Sequence, residues 1–532
     1  MKPPNDTLPA NMPAGERERL RDVALQFGLE FMADIPLDAL DSSLVADLPV
    51  EWARTHCLLP VRVKGEVCVL TADPSQAGRR EYLSLLLGTD LRPVVAGRAA
   101  ILHAIEQSYY RKEDTPSDFL RDLEVAGGGA TGTPALRTDD LLAAAEKAPV
   151  TQLVNLLLLE AVKRRASDIH FEPFESRLRV RYRVDGVLYE QSSPPKPMEA
   201  ALVSRLKVMA RMDIAEKRLP QDGMAKVRVG EREIDIRVST VPVAEGERVV
   251  LRLLDRASAL LPLSVLGMAE PMLLSFKELI AAPNGIVVVS GPTGSGKTTT
   301  LYAALGCMDS QRRNIMTIED PIEYQIPNIG QMQVKPKIGL TFANGLRHIL
   351  RQDPDIILVG ETRDTETAEI ALRAALTGHL VFTTLHTNDA PGALLRLTDM
   401  GVEPYLLASC VRGILAQRLV RRLCPACRQE TVLRREMVQS LDARLRQLEG
   451  RSAWRAAGCA QCLEGYRGRV GLFELMLVDG ELREALRGGG LKADSLRGIA
   501  ASHGMLGLAD DGANKILGGI TTLSEVSSVT FS

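Results

Sequence analysis

Apolar residues recur along the chain with two different periods, and these periods predict strands in some segments and helices in others. From Leu178 to Val184, apolar residues alternate one by one with arginines, which is typical of a half-buried strand. Asp185-Gly186 then supplies the positive-φ turn of a hairpin, and a second strand returns at Val187–Tyr189. The remaining elements predicted in this region are a helix over Val150–Val162 and strands over Ile234–Val238 and Glu247–Leu254. Together these segments predict an α+β domain.

The segment before this domain mixes helical and strand patterns and is predicted to be a small α/β domain over residues 1–125. A helical pattern spans Arg17–Phe27, and apolar runs follow at Leu58–Val63 and Val67–Leu70. Residues 126–138 are rich in glycine, which predicts a flexible linker, although a tolerated surface insertion would have the same composition. We therefore place the α+β domain at 139–260 and a third domain at 261–532.

The third domain alternates strand, glycine-rich turn and helix, which predicts a largely parallel sheet covered by helices. An apolar strand over Ile286–Ser290 runs into a P-loop, and a helix follows from Thr299. Backbone N–H groups of such a loop surround phosphate oxygens, Lys297 would reach the β- and γ-phosphates of ATP, and Thr298 would ligate Mg²⁺. The predicted nucleotide-binding residues are Gly291, Pro292, Thr293, Gly294, Ser295, Gly296, Lys297, Thr298 and Thr299.

Composition places the chain among ordinary globular proteins. Its 532 residues carry 65 Lys+Arg against 67 Asp+Glu, a net charge of -2, and 45% of them are hydrophobic. This excludes a disordered or collagen-like chain and argues against a protein that wraps nucleic acid. No apolar run approaches the roughly 18–20 residues that cross a bilayer, and no signal peptide opens the chain. We therefore expect a cytoplasmic protein, in which disulfides are rare and the eight cysteines need another role.

Two further apolar strands of the third domain end in carboxylates. Ile315–Ile318 leads into Glu319-Asp320-Pro321-Ile322-Glu323, where carboxylates could activate water or hold Mg²⁺, or could simply be solvated. Ile356–Gly360 is followed by Glu361 in a Walker B pattern. Glycine occupies the usual aspartate position of that pattern, so Glu361 would carry the contact with metal-bound water.

Two arginines lie between these strands. Thr341 is expected to cap a helix that runs to about Gln352 and that Asp353-Pro354 stops. Arg347 and Arg351 would lie one turn apart on this helix, where they either form an anion clamp or face solvent.

Two of the seven histidines bracket the apolar run within Ala375–Asn388. His386, at its carboxyl end, could sense the γ-phosphate of ATP through a hydrogen bond. Metal binding by His379 and His386 is not expected, because no third ligand is spaced beside them.

A CxxC…CxxC pattern is formed by Cys424, Cys427, Cys459 and Cys462. Four thiolates at this spacing fit a closed tetrahedral Zn²⁺ site, with a redox pair or an iron–sulfur cluster as alternatives. The module spans residues 421–470, and a helix predicted around Met437–Leu448 would project as an arm. The other cysteines lie in apolar sequence and are predicted to be core residues: Cys57, Cys68, Cys307 and Cys410.

From about Val150 onward, the order of these motifs resembles the secretion ATPases of the type II/type IV pilus superfamily. The shared motifs are the P-loop, the Asp box Thr317–Tyr324, the Walker B strand ending at Gly360-Glu361, the His box Gly378–Asn388 and the tetracysteine. Ala215–Gly223 and Gly246–Arg252 look most like the type II secretion branch. The tetracysteine argues against pilus retraction motors, whereas pilus-extension motors share nearly every motif and remain the alternative.

The resemblance implies a multidomain architecture. It consists of an N-terminal α/β docking domain, a PAS-like α+β middle domain and a RecA-like α/β P-loop core with an inserted zinc-binding module. The resemblance also implies a homo-hexamer whose domains rotate as ATP turns over to power pseudopilus assembly and protein export. The N-terminal domain would dock on the cytoplasmic part of an inner-membrane platform protein, so the chain would be peripheral to that membrane and contact it only indirectly.

The resemblance also implies residue roles. Glu323 matches the catalytic carboxylate of the Asp box and Glu361 the Walker B glutamate. The arginines on the phosphate side would be Arg237, Arg252, Arg347 and Arg351, although the pattern alone makes Arg237 and Arg252 polar-face strand residues.

The chain departs from the family pattern at two positions. Thr362 stands where isoleucine is usual after Gly-Glu, and Met224 where arginine commonly follows Gln-Asp-Gly. Residues 1–120 carry no motif that we can match, so docking of the N-terminal domain rests on the family analogy.

Two other functions fit parts of the sequence. A nucleic-acid translocase would share the P-loop core, and four arginines cluster around the first CxxC: Arg418, Arg421, Arg422 and Arg428. The balanced charge argues against it, and no nucleic acid is expected as a partner. A nucleotide-gated scaffold without turnover would not need Glu323 and Glu361.

Overall fold

The computed structural model describes residues 14–45, 48, 50–63, 65–75, 77–110, 116–117, 120, 149–229, 232–255, 261–488 and 492–530. The chain divides into two compact units, Met1–Tyr182 with Tyr189–Leu253 and Arg183–Leu188 with Leu254–Ser532. The predicted linker at 126–138 lies outside the described residues. Within them, no helix combines the length and the apolar character needed to cross a bilayer.

The first unit begins with a small α/β domain, as predicted. Its sheet has the order β1-β4-β3-β2, in which β2 and β3 are antiparallel while β4 runs parallel to both β3 and β1. The fully buried Leu59, Val61, Val69 and Leu70 form its core. The elements are α1 (Ala14–Gln26), β1 (Glu30–Met32), α2 (Val50–His56), β2 (Leu58–Val63), β3 (Glu66–Thr71), α3 (Ala77–Leu87), β4 (Arg92–Ala96) and α4 (Arg98–Tyr110).

A six-stranded sheet follows, with the order β7-β6-β5-β10-β9-β8, and most of its residues belong to the same unit. The predicted hairpin is confirmed, because buried and half-buried residues alternate along β6 and both Asp185 and Gly186 have positive φ, at 50° and 91°. The elements are α5 (Pro149–Lys163), β5 (Asp168–Pro173), β6 (Leu178–Val184), β7 (Val187–Ser192), α6 (Glu199–Met209), β8 (Gln221–Val229), β9 (Arg232–Val243) and β10 (Gly246–Asp255). The domain is α+β, as the strand pattern predicts.

The second unit is built on a seven-stranded sheet with the order β13-β12-β14-β15-β11-β16-β19. All neighbours are parallel except β19, which runs antiparallel to β16. The elements from α7 to β16 are α7 (Glu270–Ile280), β11 (Gly285–Ser290), α8 (Lys297–Leu305), β12 (Ile315–Glu319), β13 (Gly330–Gln333), α9 (Phe342–Ile349), β14 (Ile356–Val359), α10 (Thr365–Leu376), β15 (Leu380–Leu385), α11 (Ala390–Asp399), α12 (Pro404–Cys410) and β16 (Val411–Leu423). This arrangement is the predicted helix-covered parallel sheet.

The central strand β11 is buried on both faces. Ile286 and Val288 pack into one apolar cluster, whereas Val287 and Val289 pack into another on the opposite face. Successive side chains of a strand point to opposite faces, so a strand covered on both sides must be apolar at every position. The sheet therefore holds the end of β11 rigidly where the P-loop begins.

The segment between the two CxxC pairs does not form the predicted projecting helix. Asp442 accepts a hydrogen bond from the Arg444 amide and starts a new helix, which splits the segment into two four-residue helices. Val438 and Leu445 are buried in a cluster with Ile516 from a C-terminal helix, so this segment packs against the chain. The elements from β17 onward are β17 (Gln429–Val432), α13 (Arg435–Val438), α14 (Ala443–Arg446), β18 (Ser452–Arg455), β19 (Tyr466–Leu477), α15 (Gly480–Arg487), α16 (Ala493–Ser502), α17 (Leu508–Leu517) and α18 (Leu523–Thr530).

Candidate functional site

The P-loop connects the end of β11 to the start of α8, which begins at Lys297, two residues before the predicted start. Gly291 and Gly296 adopt positive φ values of 150° and 88°. A β-carbon on Gly291 would lie 2.4 Å from the backbone carbonyl oxygen of Gln417 on β16, and one on Gly296 would lie 2.8 Å from the side-chain Nε2 of Gln417. The loop needs glycine at both positions because it passes directly against β16.

The Lys297 side chain is buried and folds back over the loop. Its Nζ donates to the carbonyl oxygens of Gly291 and Pro292 at 2.7 and 3.0 Å. Burial lowers the pKa of Lys297 to about 8, helped by the charge of Arg418, whereas the carboxylate of Glu361 raises it. A bound phosphate could take the place of these carbonyl acceptors and would favour the charged ammonium.

The loop also offers hydroxyl groups that could bind a phosphate group and Mg²⁺. Ser295 Oγ is buried and has no hydrogen-bond partner among the described residues, so it is available to a ligand. Thr298 is exposed at the second residue of α8 and offers a hydroxyl oxygen. Oxygen ligands of this kind are the ones that Mg²⁺ prefers.

Glu361 and His386 lie at the carboxyl ends of the neighbouring strands β14 and β15. His386 Nε2 lies 3.7 Å from Glu361 Oε2, and the Glu361 carboxylate also accepts from Arg363 at 2.6 Å. Burial and the positive charge of Lys297 lower the pKa of His386, although Glu361 partly opposes them. The structure thus brings Lys297, Glu361 and His386 together around one edge of the sheet, with the imidazole neutral at pH 7.

Thr362, the departure from the usual isoleucine, has a clear structural role. Its Oγ1 is buried and lies 2.7 Å from the hydroxyl of Thr383 on β15, while its amide donates to the Thr384 carbonyl oxygen. An isoleucine could not make the side-chain hydrogen bond, and it would leave the buried hydroxyl of Thr383 without this partner.

The Asp box places its carboxylates in different surroundings. Glu319 is buried and accepts hydrogen bonds from Thr317 Oγ1 at 2.5 Å, from Gln331 Nε2 at 3.1 Å and from the Tyr302 hydroxyl. Glu323 follows in the loop after β12 and is half-buried. Sequence reasoning did not identify Tyr302, because nothing in the helix pattern distinguishes it from an ordinary core tyrosine.

The two arginines of the predicted clamp do not share one helical face. Thr341 caps α9 as predicted, accepting from the Asn344 amide, but α9 ends at Ile349 and Arg351 lies beyond it. Arg347 pairs with Glu366 of α10, and Arg351 hydrogen-bonds His348 Nδ1 at 2.6 Å. Both arginines are exposed, so an anion held by the pair remains a proposal.

Arg237 and Arg252 belong to the first unit and are described within it. Arg252, on β10, donates to Asp168 of β5 at 2.9 Å and keeps 60% of its side chain exposed. Arg237, on β9, lies opposite Met224 of β8 in the sheet register. Met224 is 56% exposed. Its thioether is uncharged, so it adds no charge beside Arg237.

The four cysteines of the CxxC pairs converge, and their sulfur atoms all lie within 4.8 Å of one another. Individual Sγ–Sγ distances are 4.0 Å for Cys424 and Cys459, and 3.6 Å for Cys427 and Cys462. Zinc–sulfur bonds of about 2.3 Å place the sulfurs of a tetrahedral site about 3.8 Å apart, so the cluster fits a zinc ion.

The remaining cysteines follow the prediction with one exception. Cys57, Cys68 and Cys410 are buried core residues, whereas Cys307 is exposed. The prediction for Cys307 is wrong because this residue comes just after α8 ends at Leu305, where the chain turns to the surface.

Three arginines near the first CxxC are engaged within the second unit. Arg421 stacks on Tyr466 at 4.0 Å and pairs with Glu525 of α18. Arg428 stacks on Trp454 at 4.5 Å, and Arg418 is largely buried. Side chains held in this way do not form the open basic surface that nucleic acid requires.

Comparison with protein families gives two matches along the chain. The model described as Type II/IV secretion system protein matches residues 143–528, and the MshEN domain matches residues 27–115. The second match gives a family to the N-terminal segment, in which sequence reasoning found no motif.

Relatives of similar length are ATPases or secretion proteins by name. The chain is 47% identical to Type II secretion system protein E of Pseudomonas aeruginosa over 94% of this chain and 99% of that protein. It is 44% identical to the type IV pilus assembly ATPase PilB of Myxococcus xanthus over 96% of this chain and 91% of that protein. Among solved structures, the ATPase DotB of Legionella pneumophila is 22% identical, with a TM-score of 0.53 over 71% of this chain and 95% of that one, which supports the fold.

Proposed function

The chain belongs to the Type II/IV secretion system protein family and is an ATPase, and we propose that it hydrolyses ATP to power pseudopilus assembly and protein export by a type II secretion system. The observation that carries this proposal is the grouping of Lys297, Glu361 and His386 at the end of a central P-loop strand. Phosphoryl transfer to water needs positioned charge rather than covalent chemistry, and this grouping supplies it.

In the proposed reaction, the P-loop from Gly291 to Thr299 holds the phosphates of ATP. Lys297 exchanges its carbonyl contacts for phosphate oxygens and neutralises the charge that develops on them. Thr298 would hold Mg²⁺, which, when bound, supplies further charge neutralisation. Glu361 and Glu323 orient the attacking water, and neutral His386 can hydrogen-bond the γ-phosphate.

Arginines of the same family pattern complete the proposed site. Arg347 and Arg351 are exposed, and the Arg252 side chain keeps 60% of its surface exposed, so they are accessible to a nucleotide held by another copy of the chain. We propose that they and Arg237 contribute phosphate contacts in a homo-hexamer.

We place the N-terminal docking domain at residues 1–125, the linker at 126–138, the PAS-like middle domain at 139–260 and the ATPase domain at 261–532. The first of these would bind the cytoplasmic part of an inner-membrane platform protein and so hold the ATPase at the membrane surface from the cytoplasm. The zinc module at 421–470 would hold Zn²⁺ through Cys424, Cys427, Cys459 and Cys462, which supplies structural cross-linking.

A second candidate function is type IV pilus assembly, which the 44% identity to PilB over 96% of the chain favours. The two functions use the same hydrolysis and differ in the platform protein that residues 1–125 would bind. A pull-down with the full chain against both kinds of platform protein separates them, since the functional partner should be retained and the other washed away.

The test of the hydrolytic function is a steady-state ATPase assay on the purified chain and its Glu361→Gln variant. We expect ATP binding to persist in the variant while kcat falls by roughly 100-fold or more, because the substitution removes the carboxylate that orients the attacking water and leaves the P-loop intact. Near-wild-type turnover would refute the role of Glu361. Absence of turnover in the wild-type chain, with bound ATP, would favour a nucleotide-gated scaffold.

A further inference from the structure

The hydroxyl of Tyr302 links the P-loop helix to the loop that carries Glu323. Tyr302 lies on α8, a little more than one turn after Lys297, and its ring is fully buried. The hydroxyl donates to the Glu319 carboxylate, and the backbone amide of Glu323 donates to the oxygen of the Tyr302 hydroxyl. Burial and the charge of Glu319 raise the pKa of Tyr302 well above its usual value, so the phenol keeps its proton.

Glu319 forms the centre of this network rather than a site for water or metal. Its carboxylate already accepts from the hydroxyls of Thr317 and Tyr302 and from the side-chain amide of Gln331. Three donors around one buried carboxylate satisfy most of its acceptor capacity. Glu319 therefore serves to hold the side chains that donate hydrogen bonds to it in fixed orientations.

The same network fixes the backbone on the far side of Glu323. Gln331 Oε1 accepts from the Ile326 amide at 2.7 Å, and Gln331 Nε2 lies 3.2 Å from the Tyr324 carbonyl oxygen. The rings of Tyr302 and Tyr324 meet edge to face, with their centroids 4.6 Å apart. Hydrogen bonds therefore hold the loop at the amide of Glu323, at the carbonyl oxygen of Tyr324 and at the amide of Ile326.

We propose that Tyr302 and Glu319 are positioning residues that set the distance between the P-loop and the Glu323 side chain. The proposal rests on the proposed function, in which Glu323 acts on the water that attacks ATP. Tyr302 is on the helix that starts at the P-loop, so a shift of the bound phosphates and a shift of Glu323 become coupled through one hydroxyl. Misplacement of a reacting group by about 1 Å can cost on the order of 100-fold in rate.

The test uses Tyr302→Phe in the full chain, which deletes the hydroxyl and keeps the ring against Tyr324. We expect kcat to fall roughly 10- to 100-fold while KM for ATP stays within about twofold, because the P-loop itself is untouched. The matched control is Tyr182→Phe, since Tyr182 is equally buried and its hydroxyl donates to the Leu157 carbonyl oxygen at 2.7 Å. The control should keep kcat within about twofold.

A double-mutant cycle separates positioning from general weakening of the fold. In a Glu323→Gln background, Tyr302→Phe should lower the residual rate by less than about twofold, because there is no longer a carboxylate to position. A full additional loss in that background, or unchanged kcat in Tyr302→Phe alone, would overturn the proposal while leaving the proposed function in place. Wild-type kcat in Glu323→Gln would overturn the proposal and the role of Glu323 in hydrolysis, whereas a lack of turnover in the wild-type chain is the result that would overturn the proposed function.

A second variant covers the case in which Tyr302→Phe does not fold. Gln331→Met keeps the length of the side chain but removes its hydrogen bonds to Glu319 and to the loop backbone. It should show the same loss in kcat with little change in KM, and the same lack of effect in the Glu323→Gln background. Equal losses in kcat and in ATP affinity would contradict positioning.

Discussion

His386 Nε2 lies 3.7 Å from Glu361 Oε2, so the first residue after β15 and the Walker B glutamate share one end of the sheet. The neutral imidazole next to this carboxylate is suited to hydrogen-bond a γ-phosphate, which ADP lacks. We expect His386→Ala to reduce the preference for ATP over ADP by roughly tenfold, measured as the ratio of the two dissociation constants.

The control for this prediction is the histidine at the other end of the same strand. His379 Nδ1 lies 2.8 Å from the Ala374 carbonyl oxygen and 3.2 Å from the Thr377 hydroxyl, which is a local structural role. His379→Ala should leave the ATP-to-ADP ratio within about twofold. Equal effects of the two substitutions would show that His386 does not sense the γ-phosphate.

Arg347 tests whether the ATPase site is shared between copies of the chain. We expect Arg347→Ala to lower kcat of the assembled protein at least about tenfold while leaving ATP binding to the P-loop unchanged, because in the proposed hexamer this arginine would act on the transition state in a neighbouring chain. Mixing this variant with Lys297→Ala should recover part of the activity, since an intact Lys297 and an intact Arg347 then meet at some sites.

A matched control for this experiment is Arg373→Ala, because Arg373 is exposed and pairs with Glu369 on its own helix. This substitution should leave kcat unchanged, alone or in mixtures. Activity that never recovers in the mixed assemblies would place Arg347 in the same chain as the nucleotide it serves, or outside the site.

The tetracysteine predicts a stoichiometric metal. Metal analysis should find about one zinc per wild-type chain and none in Cys424→Ser, because three thiolates cannot close the tetrahedral site. The variant should also unfold at a lower temperature, since the module shares its apolar core with Ile516 and Val526 near the C-terminus. Cys307→Ser, at an exposed cysteine, should keep both properties, and unchanged zinc in Cys424→Ser would refute the site.

The lowered pKa of Glu172 predicts how the stability of the fold depends on pH. Burial would raise the pKa of Glu172, but hydrogen bonds from Arg181 and Arg179 and the charge of Arg248 together hold it below its ordinary value of 4.5. The stabilisation is therefore present above about pH 4.5 and is lost as the pH falls through the lower folded-state pKa.

We expect Glu172→Gln to lower the free energy of unfolding by about 1–2 kcal/mol at pH 7, after allowance for the partial exposure of the arginines. The difference from wild type should shrink as the pH drops below about 4.5 and vanish below the folded-state pKa of Glu172, where both proteins carry a neutral side chain at this position. Thermal melting at pH 7 and at acid pH measures it. Glu175→Gln, at an exposed neighbour, is the control, and a difference that persists at acid pH would contradict the prediction.

Local patterns predicted the elements in which the spacing of apolar residues within the element itself reflects how it is buried. The continuous apolar run Ile286–Val289 predicted a strand, which the structure buries on both faces, and the alternation along Leu178–Val184 predicted a half-buried strand. The helix expected around Met437–Leu448 failed for the opposite reason. The apolar residues of this segment contact Ile516, which lies far along the chain. Their spacing reflects those contacts and not the period of a single helix.

The amino-acid sequence alone was sufficient for the P-loop, the paired CxxC motifs and the order of the strands that carry carboxylates, because each depends on residues close together in the chain. Folding was needed to show which side chains donate hydrogen bonds to Glu319. Glu319 and Glu323 are nearly equivalent in the sequence, yet Tyr302 and Gln331 converge on Glu319 in the structure. Hydrogen bonds act over about 3 Å in space, so partners that lie far apart along the chain become visible only once the backbone has brought them together.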